Sequence, residues 1–219
     1  MMRKALEIGG MVAAVVLVAF GIAAIAIGAN GRNTVHNNLL EQKIVGTPDM
    51  TPAGIKAEAA KAGLDTATLT IPTCSVAGKT VEDGSTARCF AQYMKIHALE
   101  ATGGLVYSQM PRYATANGQG TNEEAKALKN AKGKPVDNPE REVWIQETAL
   151  STALNTSYMA SEISLFGIVV GIALLLSGLG FAVLSIGGAL RNPDSALKFL
   201  TDRERHGGQS GATPSPSGV

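Results

Sequence analysis

The chain has 219 residues, of which 45% are hydrophobic and only 5% aromatic, and its mean hydropathy is +0.12. Nineteen Lys and Arg residues against 18 Asp and Glu give a formal charge of +1, which argues against a basic nucleic-acid binder. Two long stretches, residues 8–29 and 163–190, are predominantly apolar and contain no ionisable side chain. These stretches exclude an ordinary soluble globular protein. They are more informative about placement in a membrane than about biochemical activity.

Each apolar stretch is long enough to cross a bilayer as a helix. At about 1.5 Å rise per residue, about 20 residues cross the roughly 30 Å hydrocarbon layer, and the second stretch can span with some tilt. A cleavable signal peptide is the alternative for the first stretch, because residues 1–4 resemble a basic n-region and residues 24–26 a processing site. The apolar run is longer than a normal signal, so we predict two transmembrane helices, 8–29 and 163–190.

Several cations flank the ends of the two spans that face the chain termini, and we call these the outer ends. Only Arg32 and Lys43 lie near the ends that face the connecting segment. Cytoplasmic flanks carry an excess of Lys and Arg, so both termini (residues 1–7 and 191–219) are predicted to be cytoplasmic. Residues of about 30–162 are then extracytoplasmic. The tail is predicted to be disordered from about residue 207 because it lacks an apolar cluster. The outer cations are Arg3, Lys4, Arg191, Lys198, Arg203 and Arg205.

Small residues recur at helical spacing in both spans. The predicted helix-packing residues are Gly21, Gly28, Gly167, Gly171 and Gly178. Such residues let helix backbones approach closely, which predicts a transmembrane hairpin or packing on a second copy. The expected partners are therefore the lipid bilayer and a homo-oligomer or another membrane protein. The alternative is that glycine is simply frequent in membrane helices.

Both spans are predicted to continue as helices beyond the membrane. Asn138 is a favourable N-cap and Pro139 a favourable first helical residue, which predicts one unbroken helix from 139 to 190. After the first span, Val35 and Leu39 keep an i, i+4 pattern. The two extensions would pack as a short antiparallel stalk.

Shorter elements are predicted between these extensions. Residues 51–62 and a stretch from 85 or 86 to 102 read as helices, with a turn at 83–84 before the second. Residues 68–71 read as extended. A capping box at Thr121 predicts a further short helix that ends near residue 133.

Cys74 and Cys89 are the two cysteines of the chain, and both lie in the predicted exported segment. Disulfides form and persist in exported proteins, and closing a loop of about 15 residues is worth about 3 kcal/mol in the chain-entropy model. A redox pair prefers the C-x-x-C spacing and a structural zinc site needs four ligands. We therefore predict a structural disulfide.

The sequence contains no familiar catalytic motif, neither a nucleophile elbow nor a phosphate-binding or dinucleotide-binding loop. His36, His97 and Glu100 could formally supply the two histidines and one carboxylate of a non-haem iron site, but the two histidines belong to different predicted helices. We expect no enzyme, no metal and no cofactor. The alternative is a module that binds a lipid or small ligand, and an iron enzyme is a remote one.

Five strings carry a resemblance to a known family: KIVGTPDMTP, PTCSVAG, ARCFAQYMKIHALEATGG, QMPRYAT and LNTSYMASEISLFGIVVGIALLLSG. The chain resembles a family of small actinobacterial membrane proteins with two spans, and the resemblance covers most of residues 1–190. Some members carry an automatic label as an aromatic ring-opening dioxygenase. Ring-opening enzymes of the protocatechuate type are soluble, and none of their iron-ligand motifs can be carried onto this chain.

Together these patterns predict a mainly α fold. It combines a two-helix transmembrane hairpin with a small, mostly helical extracytoplasmic domain that is closed by one disulfide.

Overall fold

The computed structural model describes residues 2–187, so the predictions for the tail from 191 onwards lie outside the described residues. The described part is mainly helical and contains isolated β-bridges but no β-strand. Two 3-10 turns, Tyr107–Gln109 and Glu124–Lys126, accompany the α-helices. The α-helices are α1 (Met2–Glu41), α2 (Pro52–Lys61), α3 (Gly84–Ala101) and α4 (Pro139–Ile186).

The two long apolar helices are continuous, α1 over 40 residues and α4 over 48. Asn138 begins α4 as predicted, because its Oδ1 accepts a 3.1 Å hydrogen bond from the Glu140 N–H. The Asn138 amide also donates to the carbonyl oxygen of Pro111 at 3.1 Å. This cap therefore joins the start of α4 to the preceding loop.

The chain divides into two compact units, and the first contains residues 2–27 and 166–187 of the described part. Its buried residues are small, and all of them except Gly10 recur every seven positions along the helix on which they lie. We call this set the small-residue seam: Ala14 and Gly21 on α1, and Gly171, Gly178 and Ser185 on α4. A seven-residue repeat keeps one face of a helix turned towards a neighbour, which explains why these positions are buried.

The helices meet backbone to backbone along the small-residue seam. A Cβ added at Gly21 would lie 2.7 Å from the carbonyl oxygen of Gly171, and one added at Gly171 would lie 2.7 Å from the carbonyl oxygen of Gly21. At Gly178 an added Cβ would lie 2.9 Å from the backbone nitrogen of Val18. Because the obstructing atoms are backbone, any larger residue must push the helices apart.

The second unit, residues 28–165, has a conventional hydrophobic core. Leu39 of α1 and Leu154 of α4 belong to the same buried cluster as Tyr93 of α3, so the predicted extensions of both long helices pack into this core. At α2, Met50 and Ile55 are buried on either side of the Thr51 cap, as expected for a hydrophobic staple.

Helix α3 begins at Gly84, one or two residues before the predicted start at 85 or 86, because Asp83 is its N-cap. The Asp83 carboxylate accepts a 2.7 Å hydrogen bond from the Thr86 N–H, and the Thr86 hydroxyl accepts one from the Asp83 N–H at 3.1 Å. A Cβ at Gly84 would lie 2.7 Å from the Cβ of Ser161 on α4. Glycine therefore allows this end of α3 to touch α4.

The helix predicted from Thr121 to residue 133 is wrong. Only a 3-10 turn forms there, because the Thr121 N–H and carbonyl exchange 2.9 Å hydrogen bonds with Tyr113. The 3-10 turn that does form, Glu124–Lys126, has no side-chain cap hydrogen bond at its start. Distant main-chain pairing outcompetes the local capping pattern in this segment.

Candidate functional site

An open groove of about 640 Å³ lies between Thr68–Thr73 and one face of α3. Thr68–Thr73 is a loop with a turn at its first residue and bends at Leu69 and Thr73, and we call it the loop wall. The volume of the groove falls in the usual range of about 300–1,000 Å³ for ligand sites. Besides the loop wall, the groove is lined by Gln92, Lys95, Ile96, Leu99 and Val106.

The two walls of the groove are fastened together directly beyond Thr73. Cys74 and Cys89 form the predicted disulfide, with their Cα atoms 6.1 Å apart. The Tyr93 hydroxyl donates a 2.6 Å hydrogen bond to the carbonyl oxygen of Cys74. Because Cys89 and Tyr93 both lie on α3, a covalent and a polar link at Cys74 hold the end of the loop wall against this helix.

Tyr93 is fully buried, and its environment preserves the donor form of the phenol. Burial raises the pKa of the Tyr93 hydroxyl, and the negative charge of Asp49 raises it further. The hydroxyl therefore stays protonated, and its hydrogen bond to Cys74 persists through the neutral pH range.

A polar cluster around His97 lies on the same helix. The Nδ1 of His97 is 2.9 Å from Oε2 of Glu100, and its Nε2 is 3.1 Å from Oδ2 of Asp49. The second contact has the distance but not the angle of a hydrogen bond, so it acts as an ion pair when the ring is charged. An imidazolium has an N–H donor on each ring nitrogen and can pair with both carboxylates at once. A neutral ring has one N–H and can donate a hydrogen bond to only one of them.

Asp49 is held in its ionised form by this environment. Burial raises the pKa of its carboxyl, but hydrogen bonds from the Thr47 side chain and the Asp49 backbone, together with the charge of His97, lower it below the ordinary 3.8. The cluster thereby ties the loop before α2 to the middle of α3. It resembles a structural clamp more than a catalytic dyad, because the carboxylates occupy both ring nitrogens.

The three candidate iron ligands do not form one ligand set. His36 Nδ1 is 2.7 Å from the carbonyl oxygen of Glu82, whereas His97 and Glu100 pair with each other. Among the described residues, no group of three or more His, Cys, Asp or Glu side chains has an arrangement that could hold a metal ion.

Of the predicted packing glycines, Gly21, Gly171 and Gly178 lie in the small-residue seam. Gly28 is also buried, and Gly167 is half-buried. Whether they serve assembly stays a prediction, as does the binding of a lipid or small ligand.

Sequence reasoning missed both Asp49 and the groove residue Lys95. Asp49 pairs with a residue 48 positions away, which no local pattern reveals. The predicted extended run 68–71 fails at its first two residues, because the Thr68 N–H donates a 3.2 Å hydrogen bond to the carbonyl oxygen of Asp65 and the chain bends at Leu69. No protein-family model matches the chain, and no curated protein or solved structure matches it either.

Proposed function

We propose that the chain is an integral protein of the cell membrane that presents a structural or interaction domain in the cell envelope. Residues 8–29 and 163–190 would cross the bilayer as a hairpin, both termini would be cytoplasmic, and residues of about 30–162 would lie outside. The role would be assembly or partner binding, not catalysis. The partner would be a second copy or another membrane protein.

The exposure of large apolar side chains on both long helices carries this proposal. Only 17% of the most apolar window of α1 and 11% of that of α4 are buried. A core helix of a soluble protein would be mostly covered, and water-exposed apolar surface on this scale is rare in soluble monomers. Lipid is the environment that suits such side chains.

Three further observations support the arrangement. The Cys74–Cys89 disulfide suits an oxidising compartment, which is expected for residues 30–162 if they are exported. The cations at the outer ends of the spans follow the positive-inside rule. The backbone contact of Gly21 with Gly171 supports a closely packed pair of spans.

Cross-linking in intact cells, followed by purification in mild detergent, tests the assembly role. We expect a discrete oligomer or a reproducible complex with one membrane partner. A matched sample without cross-linker controls for aggregation, and recovery of the monomer alone after efficient cross-linking would contradict the proposal. The intact mass of the purified chain tests the signal-peptide alternative, because cleavage near residue 26 would remove the first span.

A further inference from the structure

A small polar pocket of about 200 Å³ lies in the second unit, between α1, the start of α3 and α4. It is lined by Arg32, Asn33 and His36 of α1, by Asp83, the N-cap of α3, and by Ser161 of α4. Every lining residue is polar or charged, in contrast to the larger groove beside the loop wall. The volume is below the usual range of about 300–1,000 Å³ for drug-sized ligands, so the pocket suits a small polar group.

The walls of this pocket are held in place by contacts between the helices. A Cβ added at Gly31 would meet the Oγ of Ser164, so α1 and α4 are in contact beside the pocket, and the start of α3 touches α4 as described above. The Nδ1 of His36 is 2.7 Å from the carbonyl oxygen of Glu82, which joins α1 to the residue before the cap of α3. The pocket is therefore a product of helix packing and is formed without a ligand.

The polar groups that line the pocket have few partners within the protein. Among the described residues, no carboxylate lies within 4.0 Å of the Arg32 guanidinium. In the same part of the chain, the side chains of Asn33 and Ser161 make no hydrogen bond, nor does Nε2 of His36. Asp83 uses Oδ1 to cap α3, whereas its Oδ2 accepts no hydrogen bond from the described residues. A positive charge and a carboxylate oxygen without protein partners therefore belong to one pocket.

The proposed topology puts this pocket at the level of the lipid headgroups. Arg32 follows the end of the first span, residue 29, by three residues, and Ser161 precedes the start of the second, residue 163, by two. At about 1.5 Å per helical residue, both lie within roughly 5 Å of the hydrocarbon edge. The headgroup layer is about 5–7 Å deep on each side, since about 30 Å of a bilayer of about 40–45 Å is hydrocarbon. A phospholipid can therefore reach the pocket with its headgroup while its acyl chains stay in the bilayer.

We propose that the pocket binds the zwitterionic headgroup of a phospholipid that carries a phosphate and a primary ammonium. The phosphate would accept hydrogen bonds from Arg32, Asn33 and Ser161, and the ammonium would donate to Oδ2 of Asp83. Arginine presents a planar fork of N–H donors that suits phosphate oxygens, and an ammonium pairs with a carboxylate through a charge-assisted hydrogen bond. A choline headgroup has no N–H to donate and a glycerol headgroup has no positive charge. The pocket should therefore prefer phosphatidylethanolamine to phosphatidylcholine and to phosphatidylglycerol.

This inference names a lipid partner, and it rests on the proposed function because only a chain that spans the membrane brings the pocket to the headgroups. The two proposals can fail separately. Recovery of the chain in the soluble fraction of cells without detergent would contradict the membrane proposal. A chain that needs detergent for extraction but shows no lipid preference would contradict the headgroup site alone.

The test is native mass spectrometry of the full-length protein in mild detergent. The protein is mixed with equal amounts of phosphatidylethanolamine, phosphatidylcholine and phosphatidylglycerol that have identical acyl chains, so that only the headgroup differs in mass. We expect one phosphatidylethanolamine per chain, retained at least about tenfold more than either other lipid. Hydrogen bonds to charged groups are strong enough to give a preference of this size.

Substitutions in the pocket separate the two halves of the headgroup. Arg32→Gln should lower retention of phosphatidylethanolamine by at least about tenfold, and Arg32→Lys should restore only part of it, because lysine keeps the charge but loses the fork of donors. Asp83→Asn should abolish the preference over phosphatidylcholine while α3 stays capped, since Asn is an equally good N-cap.

Lys56→Gln is the matched control, because it removes one positive charge from an exposed position on α2 outside the pocket. This variant should retain lipid as the wild type does. Thermal unfolding in the same detergent checks that each variant is folded.

Equal retention of the three lipids by the wild type would overturn the proposal, as would unchanged retention by Arg32→Gln. A preference for phosphatidylglycerol would show that the pocket selects negative charge alone and would overturn the pairing with Asp83. Displacement of the lipid by an equal concentration of free phosphoethanolamine would identify a soluble phosphate ester as the ligand and would overturn the assignment to a lipid. We expect no displacement, because the acyl chains add affinity that the free headgroup lacks.

Discussion

The hydroxyl of Tyr93 donates a 2.6 Å hydrogen bond to the carbonyl oxygen of Cys74, the residue whose side chain forms the disulfide with Cys89. Cys74, the residue directly after the loop wall, is thus tied to α3 through both its main chain and its side chain. The width of the groove is fixed at this end, and two independent substitutions can loosen it.

Replacing Tyr93 by phenylalanine should lower the free energy of unfolding by about 1–2 kcal/mol, because it leaves the part-buried carbonyl oxygen of Cys74 without its donor. The aromatic ring and its packing are kept. Denaturant or thermal unfolding of the full chain measures the effect. The Tyr107→Phe variant is the control, since this ring is 42% exposed, and it should change stability by less than about 0.5 kcal/mol. Equal effects of the two variants would contradict a special role for the Tyr93 hydroxyl.

Removal of the disulfide by combined Cys74→Ser and Cys89→Ser substitution should cost about 3 kcal/mol, as expected for a loop of 15 residues. Hydrogen exchange in residues 68–73 should accelerate more than exchange in α2, because the disulfide fastens that segment directly. Reduction of the wild type should reproduce both effects and should leave the double variant unchanged. An unaltered unfolding midpoint of the double variant would contradict this prediction. It would show that the Tyr93 hydrogen bond alone is sufficient to hold residues 68–73 against α3.

A single added methyl group tests the small-residue seam. Gly171→Ala should destabilise the chain by about 1–3 kcal/mol, because its Cβ would lie 2.7 Å from the carbonyl oxygen of Gly21. Gly180→Ala on the same helix is the matched control, since a Cβ there meets nothing within 4 Å. It should be neutral or slightly stabilising through better helix propensity. Thermal unfolding in nanodiscs compares the stability of the two variants. Equal stability of Gly171→Ala and Gly180→Ala would argue against close packing of the spans.

The lowered pKa of Asp49 predicts a stability change in the acidic range. Since the folded-state pKa lies below the ordinary 3.8, the ionised carboxylate stabilises the fold above pH 3.8. This contribution disappears as the pH falls through the folded-state pKa. Unfolding measured against pH should therefore show a wild-type advantage over Asp49→Asn at neutral pH that vanishes in strong acid. Asp65→Asn, at an exposed loop position, is the control and should show the same stability as the wild type at each pH. A stability difference between the wild type and Asp49→Asn that does not change with pH would contradict the predicted role of the ionised carboxylate.

Local chemistry made much of the fold predictable from sequence. Thr51 and Asn138 are side-chain caps whose partners lie two or three residues away, so helix starts could be found without tertiary information. The disulfide followed from there being only two cysteines. The seven-residue repeat of small residues likewise marked the buried faces of α1 and α4.

Features formed by distant residues could not be predicted in this way. Thr121 carries a good capping pattern, but its main chain pairs with Tyr113, and the predicted helix fails. His97 was recognised as a partner of Glu100 at i, i+3, whereas Asp49 approaches from a separate loop. The groove depends on where residues 68–73 lie relative to α3, which is decided by packing and the disulfide.

Thiol labelling of intact cells tests the two-span topology most directly. Ser108→Cys introduces an exposed thiol in the second unit, and Ser210→Cys places a second probe position near the C-terminus, while the native cysteines remain in their disulfide. With a membrane-impermeant maleimide, we expect Ser108→Cys to be labelled in intact cells and Ser210→Cys to be labelled only after permeabilisation. Labelling of Ser210→Cys in intact cells, with Ser108→Cys protected, would contradict it.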